Sequence, residues 1–310
     1  MKAALLATAK RIAPYIHNTP VLRSQTLNNM SGADLYFKCE NFQKMGAFKM
    51  RGAANAVLSL SNEDRAKGVV THSSGNFAQA VALSAKNIKV PAYIVMPENA
   101  PQVKVQAVKG YGGQVTKVTP TIEARESTAD QIALEKGATK LHPSNQIEVI
   151  LGQGTAAMEL LEIHPRLDIL ITPVGGGGLV AGTALVAHYF GKDCITIGAE
   201  PIEADDAYRS LQSGKIESNE SANTIADGLR TVLGDVNFPI IQKHVDQIIR
   251  VEEEEIIHAM RLTWERMKII IEPSCALPLA AILREPVTFK DKKVGIILSG
   301  GNVDLGNLPF

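Results

Sequence analysis

Short β-rich apolar runs alternate with stretches of helical periodicity along the first half of the chain. The apolar runs occupy residues 68–72, 92–96 and 114–118, and the helical stretches that follow them occupy residues 76–85, 101–109 and 121–135. Strands that are apolar on both faces and alternate with helices are typical of a parallel sheet covered by helices. The pattern therefore predicts the α/β class.

The composition is that of an ordinary globular protein. The 310 residues are 45% hydrophobic and carry a formal net charge of zero, so the chain is long enough for two compact units. Balanced charge without a basic cluster gives no reason to expect nucleic acid or a membrane surface as a partner. Three scattered cysteines form no CxxC motif, and no apolar run is long enough to span a bilayer. We therefore expect a cytoplasmic protein with reduced thiols.

Four consecutive glycines, Gly175 to Gly178, follow the apolar run of residues 167–174 and precede a helical start. Residues without side chains at such a junction leave free backbone N–H groups at the helix N-terminus, where the helix dipole favours an anion. The spacing does not match GxGxxG, and no Lys-Ser or Lys-Thr follows as in a P-loop. The glycines predict a phosphate site that belongs to neither of these motifs.

A lysine in the segment of residues 40–53 is the second candidate for chemistry. Lys49 follows Phe48 and a Gly-Ala step, and it leads into a helical run. A lysine held at the end of an element beside an aromatic face is partly desolvated, which lowers its pKa and lets it form a Schiff base. Taken alone, a lysine at a helix start is usually solvated surface, so this prediction depends on the other motifs.

Seven stretches, in one order along nearly the whole chain, resemble the fold type II (β-family) pyridoxal-phosphate enzymes. The resemblance is closest to the serine racemases, within the group of serine racemases and serine/threonine dehydratases. The stretches lie at residues 40–53, 71–76, 173–178, 199–206, 224–228, 264–268 and 298–304. The resemblance implies two open parallel-sheet α/β domains with the cofactor in the cleft between them. It places a small domain of residues 68–145 inside a large domain of residues 1–67 and 146–310.

The same resemblance assigns residues to pyridoxal 5'-phosphate. Lys49 would bind the cofactor aldehyde as a Schiff base, Asn76 would hydrogen-bond the ring hydroxyl, and Ser299 would face the pyridine nitrogen. The remaining contacts would be the ring against Phe48 and the phosphate against Gly175, Gly176, Gly177, Gly178 and the Leu179 amide. The Ser299 hydroxyl is uncharged, so it cannot balance the charge of a protonated ring nitrogen. The ring would therefore be a weaker electron sink, which favours β-elimination.

Ser74 matches the residue of serine racemases that exchanges a proton on the substrate face opposite the lysine. Two bases on two faces are the minimum for inverting a stereocentre, and Lys49 would serve the other face. Ser73, Ser74 and Gly75 have hydroxyl and N–H groups at a helix start, which suit the substrate carboxylate. The alternative to a proton role for Ser74 is that this loop only binds the carboxylate.

The acidic stretch with Glu200, Ala204 and Asp206 resembles the divalent-cation site of the family, which has two carboxylates and one backbone carbonyl. Oxygen ligands of this kind suit Mg²⁺ or Ca²⁺, with Mn²⁺ as a further candidate. A cation there would stabilise the cofactor-competent fold without touching the substrate. The alternative is a solvated acidic loop that also contains Glu203 and Asp205.

Three positions depart from the serine racemase pattern. Phe77 stands where histidine is common, Met45 where a small hydroxyl residue is common, and Ser144 where serine racemases have a polar amide. Arg125 lies at a position that is near the substrate in serine racemases. It could bind a second carboxylate bidentately, or it could be a solvated helix arginine. These positions leave the choice among serine, threonine and 3-hydroxyaspartate open.

The sequence therefore predicts a pyridoxal-phosphate enzyme that acts on small β-hydroxy amino acids. Racemisation of serine and dehydration of serine or threonine to a 2-oxo acid and ammonia are the expected outcomes, in a homodimer. A dedicated L-threonine or threo-3-hydroxyaspartate ammonia-lyase is the alternative within the class. From another class, a non-catalytic amino-acid or phosphate-ligand sensor on the same fold stays open, although a retained lysine argues against it.

Overall fold

The computed structural model describes all 310 residues, which form two sheets with helices on their faces. The strands are β1 (Val21–Leu22), β2 (Asp34–Cys39), β3 (Val69–His72), β4 (Ala92–Pro97), β5 (Gln114–Val118), β6 (Thr139–Lys140), β7 (Ile169–Pro173), β8 (Ile195–Pro201), β9 (Gln247–Val251) and β10 (Lys293–Leu298). The helices are α1 (Lys2–Ile12), α2 (Gln25–Ser31), α3 (Lys49–Leu58), α4 (Asn62–Lys67), α5 (Asn76–Asn87), α6 (Gln102–Gly110), α7 (Ile122–Lys136), α8 (Ile147–Ile163), α9 (Gly178–Phe190), α10 (Asp206–Ser213), α11 (Phe238–His244), α12 (Glu253–Met267), α13 (Pro273–Arg284) and α14 (Pro286–Phe289).

The larger sheet has the strand order β1-β2-β10-β7-β8-β9, and only β1 runs antiparallel to its neighbour. Strand β7 is buried along its whole length because helices cover both faces of the sheet. Ile169 and Ile171 pack in the core on the α13 side, whereas Leu170 packs in the core on the α8 and α9 side. The carboxyl ends of the parallel strands therefore meet at one edge, where ligands of open α/β sheets bind.

The smaller sheet is entirely parallel, with the order β5-β4-β3-β6. Helices α5 and α6 cover one face, and α7 covers the other through Ala129, which packs with Val70 and Val95. The three strand and helix pairs predicted from the apolar pattern are confirmed as β3–α5, β4–α6 and β5–α7. The parallel α/β architecture predicted from the sequence is therefore correct.

All four strands of the smaller sheet lie within residues 68–145, and all strands of the larger sheet lie outside that range. We propose that this range is the small domain. Helix α3, assigned by this division to the large domain, contributes Ala53, Ala56 and Val57 to the core of the smaller sheet and also packs on α8. It therefore joins the packing of both sheets, and it begins at Lys49.

Helices α8 and α9 approach each other closely through glycines. A Cβ atom at Gly154 would lie only 2.7 Å from the carbonyl oxygen of Gly182. This contact holds the start of α9, and with it the four-glycine segment, against α8. None of the helices combines the length and the apolar character that crossing a lipid bilayer requires.

Candidate active site

Backbone pairing holds the segment before Lys49 against the segment after β10. Ala47 and Gly300 form an antiparallel bridge. The Phe48 N–H donates to the Ser299 carbonyl at 2.9 Å, and the Gly301 N–H donates to the Gly46 carbonyl at 2.9 Å. Since these bonds use backbone atoms alone, they fix the start of α3 beside Ser299 regardless of the side chains around them.

The Lys49 side chain is partly buried and lies between two aromatic rings. Its Nζ is 4.9 Å from the centroid of the Phe48 ring and 5.9 Å from that of Phe77, and it donates to the Pro143 carbonyl at 2.8 Å. Burial, opposed by the Glu272 carboxylate, lowers the pKa of Lys49 to about 8. A larger fraction of this amine is neutral, and therefore nucleophilic, at neutral pH than for an ordinary lysine.

The four glycines connect the end of β7 to the first turn of α9. Gly177 has φ 80°, in the left-handed region, and Gly178 begins the helix. A Cβ atom at Gly178 would lie 2.6 Å from Gln153 Oε1, and one at Gly176 would collide with the Ser144 hydroxyl. Gln153 Oε1 is buried without a hydrogen-bond partner. The segment therefore forms a narrow cradle of backbone N–H groups at the positive end of a helix.

A second helix start lies in the loop between β3 and α5. Gly75 precedes the first residue of α5, Asn76, and the Gly75 N–H donates to Ser73 Oγ at 3.4 Å. Ser74 is partly exposed in the same loop. N–H groups and hydroxyls at a helix N-terminus suit a carboxylate, so this loop has the composition of a substrate-anchoring site.

Ser299 follows the last residue of β10 and is almost completely buried. The Cys275 thiol lies beside it. Burial raises the pKa of Cys275, although a hydrogen bond from the Gly300 backbone opposes this. A thiol that stays protonated is a poor nucleophile, so Cys275 is a small packing residue next to Ser299.

Comparison with known proteins identifies the family. The sequence profile described as pyridoxal-phosphate dependent enzyme matches residues 12–300. The chain belongs to this enzyme family.

It is 54% identical over 305 residues to the serine racemase of Dictyostelium discoideum, in an alignment that covers 96% of this chain and 94% of that relative. It is 45% identical over 306 residues to the β-hydroxyaspartate dehydratase of Paracoccus denitrificans, which covers 99% and 97%. The solved structure of maize serine racemase matches with a TM-score of 0.96 at 47% identity, over 98% of this chain and 94% of that one.

The residues around Lys49 fit pyridoxal phosphate. The cofactor needs an amine for its aldehyde, an anion site for its phosphate and a partner for its ring nitrogen. In this enzyme, the amine is Lys49, whose pKa is lowered, and the residue suited to the ring nitrogen is the buried Ser299. The anion site is the glycine cradle, where Cβ atoms added at Gly178 and Gly176 would collide with Gln153 and Ser144. These three protein groups therefore match the aldehyde, the phosphate and the ring nitrogen of the cofactor.

Glu200 and Asp206 are buried carboxylates without a basic partner of their own. Glu200 accepts from the N–H groups of Ala207 at 3.0 Å and Tyr208 at 2.8 Å. Burial, together with the charge of Asp206, raises the pKa of Glu200 well above its usual value, and burial raises the pKa of Asp206 to about 6. Ala204, which is also buried, lies in the turn between them. Because both carboxylates are buried, they do not belong to a solvated loop, and their oxygens are of the kind that a divalent cation prefers.

Asp205 differs from these two neighbours. It binds Arg209 at 2.7 Å and Arg250 at 2.8 Å, and these hydrogen bonds hold its pKa below the usual range against the opposing effect of partial burial. The two arginines of this region therefore neutralise Asp205, which leaves Glu200 and Asp206 as the carboxylates that a cation would bind.

Arg125 is the predicted site residue with the fewest links to the others. Its Nε donates to the Thr121 carbonyl at 3.2 Å within the same helix, and its charge acts on His72. No hydrogen bond or ion pair joins it to Lys49 or to Ser73, Ser74 and Gly75. A role of Arg125 as carboxylate ligand therefore stays a prediction.

Glu272 and Asn302 belong to the site but were not identified from the sequence. Glu272 precedes α13, is almost completely buried and accepts two hydrogen bonds from Asn76. Burial raises the pKa of Glu272 to about 7, although the hydrogen bonds from Asn76 oppose this shift. An acidic residue before a proline reads as an ordinary helix start, so the sequence offers no signal for this role.

Proposed function

We propose that this enzyme racemises serine and also eliminates water from small β-hydroxy amino acids, giving a 2-oxo acid and ammonia. The observation that carries the proposal is the combination of Lys49, whose pKa is lowered to about 8, with the partly exposed hydroxyl of Ser74 on a separate loop. The similarity to the serine racemase of D. discoideum supports the racemase activity, and that to the P. denitrificans dehydratase supports the elimination.

The roles of the residues follow from their chemistry. When bound, pyridoxal phosphate supplies the electron sink that makes the Cα–H bond of an amino acid acidic. The neutral Lys49 amine accepts this proton on one face, and the Ser74 hydroxyl returns a proton on the other, which inverts the centre. If the β-hydroxyl leaves first, water is lost and hydrolysis of the product gives the 2-oxo acid and ammonia. The Ser299 hydroxyl carries no charge, which favours this elimination.

The Ser73–Gly75 loop anchors the substrate carboxylate at the start of α5, as the similarity of this loop to the family pattern suggests. Phe48 lies against the cofactor ring, and Gly175 to Gly178 with the Leu179 amide hold the phosphate. Asn76 binds the ring hydroxyl. These assignments are part of the same proposal, and they rest on the pairing of α3 with the Ser299 segment and on the narrow glycine cradle.

The test is incubation of the cofactor-loaded protein with L-serine in D₂O, with α-deuterated D-serine and pyruvate quantified together. Wild type should form both products. Ser74→Ala should lower D-serine formation by about 10²-fold, because a positioned proton donor contributes that much or more, and it should affect pyruvate less. Ser73→Ala, in the same loop, is the matched control and should alter both products in parallel. Equal loss of both products in Ser74→Ala would limit this residue to carboxylate binding.

A second candidate function is a dedicated 3-hydroxyaspartate or threonine ammonia-lyase. The similarity to the P. denitrificans β-hydroxyaspartate dehydratase over 99% of this chain favours it. Arg125 would then bind the second carboxylate of 3-hydroxyaspartate. Formation of pyruvate without any D-serine in the D₂O experiment would decide for this function, and faster turnover of threonine or of 3-hydroxyaspartate would identify the substrate.

We propose that Glu200, Asp206 and the Ala204 carbonyl bind Mg²⁺ or a similar divalent cation such as Ca²⁺ or Mn²⁺. Saturating Mg²⁺ should raise the unfolding midpoint by about 5 °C, because a ligand that binds only the folded state stabilises it by mass action. Differential scanning fluorimetry with Mg²⁺ and with EDTA measures this shift. Asp206→Asn should abolish it, whereas Asp205→Asn should keep it, since arginines already neutralise Asp205. An equal Mg²⁺ response in the wild type and Asp206→Asn would exclude this site.

We further propose that the enzyme works in the cytoplasm as a homodimer. The three cysteines are free thiols, as in proteins of reducing compartments. Small β-hydroxy amino acids are its proposed partners, and neither nucleic acid nor a membrane surface is among them.

A further inference from the structure

A chain of hydrogen bonds runs through the side chain that is proposed to bind the cofactor ring hydroxyl. Asn302 Nδ2 donates to the Met45 carbonyl at 2.8 Å and to Asn76 Oδ1 at 2.8 Å. Asn76 Nδ2 donates to both carboxylate oxygens of Glu272, at 2.9 and 3.1 Å. The chain therefore connects the loop before Lys49, the segment after β10, the start of α5 and the start of α13.

The Met45 end of this chain can only accept hydrogen bonds, because a backbone carbonyl has no hydrogen. At the other end, both Glu272 oxygens lie within hydrogen-bonding distance of Asn76 Nδ2. Asn302 must therefore turn its NH₂ group towards Met45, and Asn76 must turn its NH₂ group towards Glu272. If Asn76 were flipped, its NH₂ would face the NH₂ of Asn302 and its oxygen would face the carboxylate. The contacts thus select one orientation of the Asn76 amide.

One N–H bond of Asn76 is left over in this orientation. The two N–H bonds of an amide point in widely different directions, whereas the two oxygens of one carboxylate lie close together as seen from Nδ2. The two N–H bonds therefore cannot both point at the same carboxylate. One N–H is therefore shared between the Glu272 oxygens, while the other has no partner among the hydrogen bonds of the chain. Asn76 Oδ1 already accepts from Asn302, and Asn76 is partly exposed. The amide therefore has one free N–H that it can donate to a ligand.

We propose that Glu272 and Asn302 are positioning residues that orient the Asn76 amide so that its free N–H donates to the ring hydroxyl oxygen of the cofactor. This inference rests on the proposed role of Asn76 at the ring. A donor at that oxygen stabilises its ionised form, in which the bound cofactor absorbs at longer wavelength than in its neutral form. Glu272 and Asn302 would thereby favour the ionised form of the cofactor through Asn76.

The test compares the visible absorption spectrum and the cofactor affinity of variants, and it requires no turnover. Asn76→Asp removes the donor and gives the reference spectrum for its loss. Asn302→Asp and Glu272→Gln should shift the spectrum in the same direction, because the first places an acceptor against Asn76 Oδ1 and the second removes one of the two oxygens that accept from Asn76 Nδ2. Each should weaken cofactor binding about tenfold, the effect of one hydrogen bond to a charged group.

Asn41→Asp is the matched control. Asn41 Nδ2 donates to the Ile270 carbonyl at 3.1 Å, close to the same region but outside the chain of bonds. This variant should keep the wild-type spectrum and affinity. Wild-type spectra in both Asn302→Asp and Glu272→Gln would overturn the proposal, as would an unchanged spectrum in Asn76→Asp. Failure of the wild type to act on serine would contradict the proposed function instead, and the spectral comparison would still stand.

Discussion

Replacement of Lys49 by alanine will remove covalent cofactor attachment and lower turnover of β-hydroxy amino acids by at least about 10³-fold. The side chain is proposed both to bind the cofactor aldehyde and to exchange the substrate α-proton, and a single proton-transfer group already contributes about 10²–10⁴-fold. Borohydride reduction followed by peptide mass spectrometry measures the attachment directly. The wild type should carry the reduced cofactor on the peptide that contains Lys49, and Lys49→Ala should carry none.

Lys44→Ala is the matched control for this experiment. Lys44 lies in the loop just before α3, is partly exposed and forms no ion pair. It should retain both the reducible cofactor adduct and the activity. A reduced adduct on any other lysine of the wild-type protein, or near-normal turnover by Lys49→Ala, would contradict the role assigned to Lys49.

The environment of Lys49 was largely predictable because its determinants are local. The Gly-Ala step, Phe48 and the helix start stand next to it in the sequence, and burial there lowers its pKa as expected. The four-glycine segment was predictable for the same reason, since a buried strand, residues without Cβ atoms and a helix start follow one another directly. In both cases the neighbouring residues carry the sequence signal. The further contacts of Lys49 with Phe77 and Pro143, and of the glycines with Gln153 and Ser144, come from distant segments and had no such signal.

The smaller sheet was predictable from its apolar runs, whose strands are largely buried because helices cover both faces. Strand β5 is the exception. It forms the edge of the sheet and is mostly exposed, yet its β-branched residues still indicated a strand. The bridge between Ala47 and Gly300 had no such signal. It depends on backbone groups far apart in the chain, and sequence spacing carries no information about their approach.

Glu272 and Asn302 could not be predicted for a related reason. Each is a polar residue whose partner lies in another segment, so its role exists only after the segments have met. The acidic stretch shows the converse. The sequence left two interpretations of Glu200 and Asp206 open, and the structure shows that both carboxylates are buried, which a solvated loop would not give. The cation site itself stays a prediction.

A buried charge network beneath Lys49 was likewise invisible in the sequence. Arg51 has no exposed surface, and its guanidinium binds Glu40 through bonds of 2.6 and 2.8 Å and Glu159 through bonds of 2.7 and 2.8 Å. Lys38 binds Glu159 at 2.6 Å. Burial alone would raise the pKa of Glu40, but the Arg51 guanidinium holds it below the usual value. The network joins β2, α3 and α8 behind the residue that is proposed to hold the cofactor.

Arg51→Met should lower the free energy of unfolding at pH 7 by about 3–5 kcal/mol, the typical effect of removing one partner from a buried ion pair. Glu40 would then be buried without its counter-charge, and Glu159 would keep only Lys38. The loss should shrink as the pH falls towards about 4.5. In the wild type, the pKa of Glu40 is lower in the folded protein than in the unfolded chain. This difference stabilises the fold at pH values above the pKa in the unfolded chain, and the contribution is lost as the pH falls through the pKa in the folded protein. In the variant, protonation of Glu40 relieves the unpaired charge.

Urea unfolding of the cofactor-loaded protein at pH 7 and pH 5 measures both effects. Lys67→Met breaks the exposed pair with Glu63 and serves as the control, because solvent screens that pair and its loss should scarcely change the unfolding midpoint at either pH. Adding Glu40→Leu to Arg51→Met should recover part of the stability, since it removes the buried carboxylate that the first substitution leaves unpaired. A loss below about 1 kcal/mol in Arg51→Met, or a loss equal at both pH values, would show that the network does not hold Glu40 ionised in the way its geometry indicates.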